Sequence, residues 1–404
     1  MTELPLKYGC NPNQPDARIL FVGPPEDCPL AIVNGAPSFI NVLDAMRGWE
    51  LVHDLKASTG HPAAASFKHV SPAGAAVASK GSADLTEDFC KAHFYPAPDD
   101  HTYSPIAAAY AKARSSDRGA SFGDFIAVSE VVDASLAALI KPEVSDGIIA
   151  PGYDDDARAI LAAKKGGRYA MLSIDPAYRP GPVESRTCFG LTLEQSFNDL
   201  AITAEMLTQN IVTQHRDLPD DALLALLVST VTLKHTQSNS IAVGMAGQAI
   251  GIGAGQQSRI ACTRLACDKA DRFMLKQHPR TLGLIDAFKA GVKRPDKVNA
   301  VDQFVRYHEL DGVERAGLAA LVDGTVEPIP ETERAEWCAG FGGGRLALSS
   351  DAFIPFRDNL DRANRSGVKY VVHAGGSARD DLVTQAANEH GMVMGLTGLR
   401  LFLH

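Results

Sequence analysis

Long apolar runs are missing from this sequence. No stretch reaches the roughly 18 to 20 apolar residues that a membrane helix requires, and the opening MTELPLKYGCNPNQ has no basic segment leading into an apolar one, as a secretion signal would. A cytoplasmic location without a membrane partner is the expectation. Cysteine is sparse and unpatterned. The seven residues at 10, 28, 90, 188, 262, 267 and 338 include no CxxC pair and leave an odd count, which argues against a zinc knuckle or a disulfide framework and fits a reducing compartment. Positive charge is short as well: 39 Lys and Arg stand against 48 Asp and Glu, a formal net charge of −9. A general nucleic-acid binder is thereby excluded, because neutralising phosphates needs surplus cations, and any anionic ligand must be captured by a few local groups. Nucleotide loops are absent too. There is no GxxxxGK[ST] segment, and GIGAGQ (251–256) has neither the GxGxxG spacing nor a ribose-binding acid downstream.

What is present reads as an ordinary folded protein. The 404 residues, 45% hydrophobic and 22% charged, suffice for a large core divided into two or three folding units. Thirty-five glycines and 23 prolines spread along the chain indicate many turns joining short elements, and the fold class expected is α/β. Residues 1–60 read as short strands and turns, and 63–78 as a strand, a Pro/Gly turn and the start of a helix. From 104 to 175 helices and strands alternate, with SPIAAAYAKARSS helical, FIAVSEVV and GIIAPG as strands, DDDARAILAAKK as an amphipathic helix with an acidic first turn, and YAMLSID as a strand. That alternation predicts a layered sheet with flanking helices. A second unit is expected from about residue 191, with the apolar helix ALLALLVSTVTL followed by a strand, turn and strand over KHTQSNSIAVGMAGQAIGIGAGQQSRI. FKHVSPAGAAVA (67–78) and LKHTQSNSIAVG (233–244) share a Lys-His pair, a small polar turn and an Ala-Val run. Their likeness suggests one αβ unit used twice, with chance similarity as the competing explanation.

A set of longer blocks carries a family resemblance. LKYGCNPNQ, SFKHVSPAGAAV, ASFGDF, SDGIIAPGY, KHTQSNS, GIGAGQQSRI, GVKR, SSDAFIPFRDN and TGLRLFLH occur in this order from residue 6 to residue 404. The sequence resembles the AICAR transformylase domain of the bifunctional purine biosynthesis protein family, whose other half is an IMP cyclohydrolase. Only five residues precede the first block here, so cyclohydrolase activity is not expected. The resemblance implies a pair of cytidine-deaminase-like αβ subdomains, residues 1–190 and 191–404, in a homodimer with shared active sites. It implies formyl transfer from 10-formyltetrahydrofolate to the 5-amino group of AICAR, giving FAICAR and tetrahydrofolate, with no metal needed for the chemistry. The HxE and PCxxC segments of zinc deaminases are absent from the sequence.

The chemistry sets four demands: holding a nucleotide monophosphate, holding an anionic folate, making an aromatic amine nucleophilic and stabilising an oxyanion at the formyl carbon. Lys68 and His69 fall at a strand end before a turn containing Pro72 and Gly74, where side chains can project into a cleft. His69 is the expected acceptor of the amine proton. Lys68 is expected to steady the oxyanion or to protonate the departing folate nitrogen. The bland alternative is a hydrogen-bonded structural histidine beside a surface cation. Asn239 in the QSNS turn is expected to bind substrate or hold His69 in its tautomer, against the plain reading of a turn-forming Asn. His235, where the family commonly has Tyr, reads as structural. The resemblance further assigns Lys7, Tyr8 and Arg400 to the nucleotide phosphate, with Lys7 standing where the family usually has Arg and so losing the bidentate fork. A role for Arg400 requires a C-terminus tied into the core. Gly123 and Asp146 are placed near the aminoimidazole ring and ribose, and Arg259 near a folate carboxylate or the carboxamide. Phe353, Pro355 and Phe356 form the expected apolar wall for the pterin, Asp358 accepts its ring N–H groups, and Asn299 is a lesser folate candidate. The competing functional class is a non-catalytic AICAR sensor that keeps the nucleotide pocket without turnover.

Overall fold

The computed structural model describes residues 2–404. Two short strands, β1 (Thr2–Pro5) and β2 (Arg18–Phe21), pair with each other ahead of the main sheet. That sheet takes β3 (Leu30–Asn34), the hairpin β4 (Ala63–Lys68) and β5 (Ser71–Val77), then β6 (Asp124–Val128), β7 (Ser145–Ala150) and β8 (Ala170–Ile174). A separate hairpin, β9 (Val183–Cys188) and β10 (Leu191–Ser196), stands outside it. The sheet continues with the hairpin β11 (Ile241–Met245) and β12 (Gln248–Gly253), followed by β13 (Leu346–Ser350), β14 (Val368–His373) and β15 (Val393–Leu396). The spatial order is β15-β14-β13-β11-β12-β5-β4-β6-β7-β8-β3.

This is the mixed α/β sheet with flanking helices that the alternation predicts, and its topology repeats about the centre. Outward from β5 come β4, then β6 antiparallel to it, then β7 and β8 parallel. Outward from β12 come β11, then β13 antiparallel to it, then β14 and β15 parallel. Both faces are covered, so strand residues alternate between two buried layers. Ala64, Ile126, Ile148, Ile250 and Leu348 face one apolar layer with the helices Pro105–Ser115 and Arg259–Lys276. Ala65, Phe67, Phe125, Ile252 and Ala347 face the other with the helices Phe39–Thr59 and Asp220–Lys234. Each fully buried Phe or Ile of these layers stabilises by roughly 1.5–3 kcal/mol.

Three sequence expectations are corrected. Residues 39–59 are not strands and turns but a 21-residue helix. Ser38 and Asn41 cap it reciprocally, and Gly60 ends it at φ 72° with its N–H on Lys56 O. Its buried face, Asp44, Gly48, Leu51, Val52 and Leu55 among others, contains two poor helix formers, which hide the period. Residues 71–77 form a strand, not a helix start, despite three alanines. The sheet centre requires small residues there: a Cβ on Gly74 would stand 2.0 Å from the Ala113 carbonyl of the overlying helix, so packing overrides propensity. The repeat, finally, has a different register from the one the similar segments suggest. Lys68 ends β4, the first strand of its hairpin, whereas Lys234 ends the helix that precedes β11. The two Lys-His pairs are not equivalent positions. The true counterpart of Gly74 is Gly251 of β12, where a Cβ would lie 2.2 Å from Ala266 O of the 259–276 helix. The position 190/191 falls in the turn of the β9–β10 hairpin.

Candidate active site

Strand register brings several of the candidate residues to one end of the sheet. β4 ends at Lys68 where β5 begins at Ser71, and Phe67 faces Phe125 near the start of β6. Asp124 in turn faces Ser145 at the start of β7. In the other half, Ile241 at the start of β11 faces both Gly253 at the end of β12 and Ser350 at the end of β13. Since β12 runs antiparallel to β5, all of these termini share one edge. The two halves pair only through Gln248–Ala249 and Ala75–Ala76, so the ladder between them is open toward that edge.

Lys68 and His69 occupy the tightest bend of this region. The pairing of Lys68 with Ser71 leaves a two-residue loop, His69 at φ 55° and Val70 at φ 60°. Two positive φ values are the backbone of a type I′ turn, which normally takes Asn-Gly. A left-handed conformation costs a non-glycine residue roughly 1–2 kcal/mol, and β-branched Val is among the worst suited. The turn therefore presents His69, exposed at the surface, at the expense of local strain. The Lys68 ammonium donates to the Phe122 carbonyl and lies 3.9 Å from where a Cβ on Gly123 would stand. Gly123, at φ 76°, leaves that space open. Asp146 at the start of β7 is exposed and pairs with Lys165 at 2.8 Å.

The loop that carries Phe122 and Gly123 is held from beneath by buried charges. Asp124 accepts from Arg114 Nη1 at 2.7 Å and from Ser66 Oγ at 2.6 Å. Glu143 accepts from Arg114, Arg118 and Arg294. Burial alone would raise the Glu143 carboxyl, but these three guanidinium groups outweigh it and hold it well below the usual range. Neither acid is singled out by the sequence, whose only signal is ASFGDF.

Lys7 and Tyr8 run along the start of the 39–59 helix, with Lys7 N donating to Pro37 O and Phe39 N donating to Tyr8 O. The Lys7 ammonium lies 5.5 Å from the Tyr8 ring centroid. One turn into that helix sits Asp44, a residue that no sequence motif marks. It is 6% exposed, and its Oδ1 accepts the Val70 N–H at 2.6 Å. Burial pushes its carboxyl up to about 6, against the opposing pull of the Val70 and His69 amides and the His69 ring.

The second half supplies a buried hub. Asp351, fully buried, accepts from Ser238 Oγ at 2.7 Å, from Ser240 N at 3.0 Å and from Arg259. Arg259 also donates to Ser240 O and, at 2.8 Å, to Asn239 Oδ1. Asn239 Nδ2 donates to Gln256 O. Asn239 and Arg259 thus bond to each other within the protein, and among the described residues no hydrogen bond joins Asn239 to His69. His235 is buried, its Nε2 2.9 Å from Asp54 Oδ2, where Lys234 also binds. The C-terminus is tied to the hub: Leu401 N donates to Asp351 O, and Ser238 N to Leu403 O. Arg400 is exposed, with its guanidinium 5.1 Å from the Phe402 ring centroid.

From β13 the chain leaves the sheet as Ala352–Arg357. Phe353 and Phe356 are exposed by 46% and 51%, so neither is a core residue. Pro355, Phe356 and Asp358 line a cleft of about 390 Å³ with Arg379 and Leu382. Arg379 stacks 4.8 Å from the Phe356 ring centroid and has no acidic partner among the described residues, a cation that no motif marks. Asn299 lies exposed on the helix Arg294–Phe304, with no hydrogen bond to residues 353–358. Among the described residues no group of three or more His, Cys, Asp or Glu is placed to hold a metal ion, and no helix is long and apolar enough to cross a membrane.

Comparison with known proteins agrees with the blocks that meet at this edge. A family model described as the AICARFT/IMPCHase bienzyme matches residues 1–269. The chain belongs to this family. The bifunctional purine biosynthesis protein PurH of Magnetococcus marinus is 29% identical over 405 residues, covering 99% of the chain and 59% of the relative. That of Cereibacter sphaeroides is 30% identical over 370 residues, covering 91% of the chain and 53% of the relative. The chain thus spans between about half and three-fifths of the length of these relatives.

Proposed function

We propose that the protein acts in purine biosynthesis by transferring a formyl group from 10-formyltetrahydrofolate to the 5-amino group of AICAR. The observation that carries this reading is the Lys68–His69 pair, set on a strained turn beside Gly123 and Asp146 at the open edge of the sheet. In the transfer, the amine nitrogen attacks the formyl carbon and its proton passes to the His69 imidazole. The bond from the formyl carbon to N10 of the folate then breaks, and N10 takes a proton as tetrahydrofolate leaves. Lys68 uses one of its three donors on Phe122 O, which orients the ammonium and leaves two donors for the oxyanion or for N10.

Lys7, Tyr8 and Arg400 are the phosphate ligands in this reading, and Gly123 and Asp146 border the ring and ribose. Asn239 and Arg259, bonded to one another, with Arg259 also bonded to Asp351, shape the far wall. The pterin lies against Phe353, Pro355 and Phe356, with Asp358 accepting its N–H groups, Asn299 as a further contact and Arg379 available to a carboxylate. Residues 1–190 and 191–404 are two cytidine-deaminase-like units in this reading. The working form is a cytoplasmic homodimer with shared sites. The test is to mix purified protein with AICAR and 10-formyltetrahydrofolate, without added metal or ATP, and follow tetrahydrofolate by absorbance. Turnover supports the reading; AICAR binding without turnover moves the conclusion to a sensor.

A further inference from the structure

The His69–Val70 turn has its anchor outside the hairpin. Asp44 reaches it from the 39–59 helix, its Oδ1 accepting the Val70 N–H at 2.6 Å. No Lys or Arg pairs with Asp44 among the described residues; the titratable groups facing it are His69 and Asp146. A buried carboxylate without a cationic partner is costly, and so is a positive φ at both a His and a Val. An Asn-Gly loop would close the same hairpin without either cost. Two unfavourable features in direct contact, beside the proposed proton acceptor, have a common explanation.

We propose that Asp44 is a positioning residue for the transfer: it clamps the backbone of the turn and so sets the direction in which Lys68 and His69 leave β4. This rests on the reading of His69 as the proton acceptor. The clamp works through amide acceptance, so an acceptor at 44 matters more than a charge, and a turn that no longer resists positive φ needs the clamp less.

The experiment compares the wild type with Asp44→Ala, Asp44→Asn and Asp44→Ala combined with Val70→Gly. It reads kcat, KM for AICAR and hydrogen exchange of a peptide spanning residues 66–78. Asp44→Ala should lower kcat about 10- to 100-fold, as displacing a reacting group does, with KM within about threefold. Its turn amides should exchange faster. Asp44→Asn retains an acceptor oxygen and should keep about a third or more of the wild-type kcat. Val70→Gly should return about fivefold of the activity lost in Asp44→Ala, because glycine takes positive φ freely. Unchanged exchange in Asp44→Ala, or a double variant no better than Asp44→Ala, overturns the proposal. Should Asp44→Ala not fold, Asp44→Ser takes its place. A wild type without turnover sinks the formyl-transfer reading alone. Exchange then decides Asp44: faster in Asp44→Ala and slowed again by Val70→Gly supports the clamp, and no difference removes it.

Discussion

The two halves of the sheet share one topology but treat their charged residues in opposite ways. In the first half the bend after β4 carries His69 exposed on a strained turn, with Lys68 held by a single carbonyl. In the second half the counterpart of that turn, Ala246–Gly247, lies at the opposite end of the sheet, and the strand ends that reach the His69 edge are closed. Asp351, Arg259, Asn239, Ser238 and the C-terminal segment 401–403 satisfy one another in a buried network. A repeated fold thus leaves one copy with unspent donors and acceptors facing outward, while the other converts the same edge into scaffold. Reactive chemistry needs groups with remaining hydrogen-bond capacity, and scaffolding needs groups with none.

That contrast can be broken from either side. His69→Ala should lower kcat by ~10² to 10⁴, the usual contribution of a positioned base, while AICAR binding by calorimetry stays nearly intact. Equal loss of binding and of folding would return His69 to a structural role. Arg259→Ala should act the other way round, destabilising by about 3–5 kcal/mol in urea unfolding because it leaves Asp351 buried and unpaired. A loss under about 1 kcal/mol would show that the hub is reached by water.

Asp44→Asn sharpens the comparison through pH. The Asp44 carboxyl rises from 3.8 to about 6 on folding, so the folded state favours its protonated form. Its contribution to stability is complete below pH 3.8 and is lost as pH climbs to about 6. At neutral pH the Asn variant should therefore be more stable than the wild type by up to about 3 kcal/mol, with the difference vanishing near pH 4. Thermal melts across that range check it, and a constant difference would mean that the charge carries no cost. The smallest effect is expected at Phe356→Ala. The KM for 10-formyltetrahydrofolate should rise about tenfold, the worth of one stacked ring, with stability within about 0.5 kcal/mol. An unchanged KM would place the pterin elsewhere.

Several of these residues are legible in the amino-acid sequence. Lys68 and His69 read as a strand end before a turn, and the helices at 105–115 and 220–234 follow from their apolar runs. Asp44 is not legible, because a single Asp inside LDAMRGWELV looks like an ordinary helix or turn residue and its partner amide lies 26 positions away. The Asp351 hub is hidden for the same reason: Ser238, Arg259 and Leu401 are separated from it by 50 to 113 positions, and no local spacing announces such a meeting. The Lys-His likeness misleads because a shared dipeptide ignores where the hairpin begins.

By itself the sequence determined the α/β class, the absence of a membrane helix, the family and the types of side chain available for the proposed transfer, since these depend on composition, local period and contiguous blocks. Tertiary structure alone decided that Ala-rich 71–77 is a strand, that β4 and β11 are the equivalent positions and that His69 stands on a clamped left-handed turn while Arg259 is enclosed. Those outcomes depend on how closely helices approach the sheet and on which distant residues share its edge, quantities that no local stretch of chain contains.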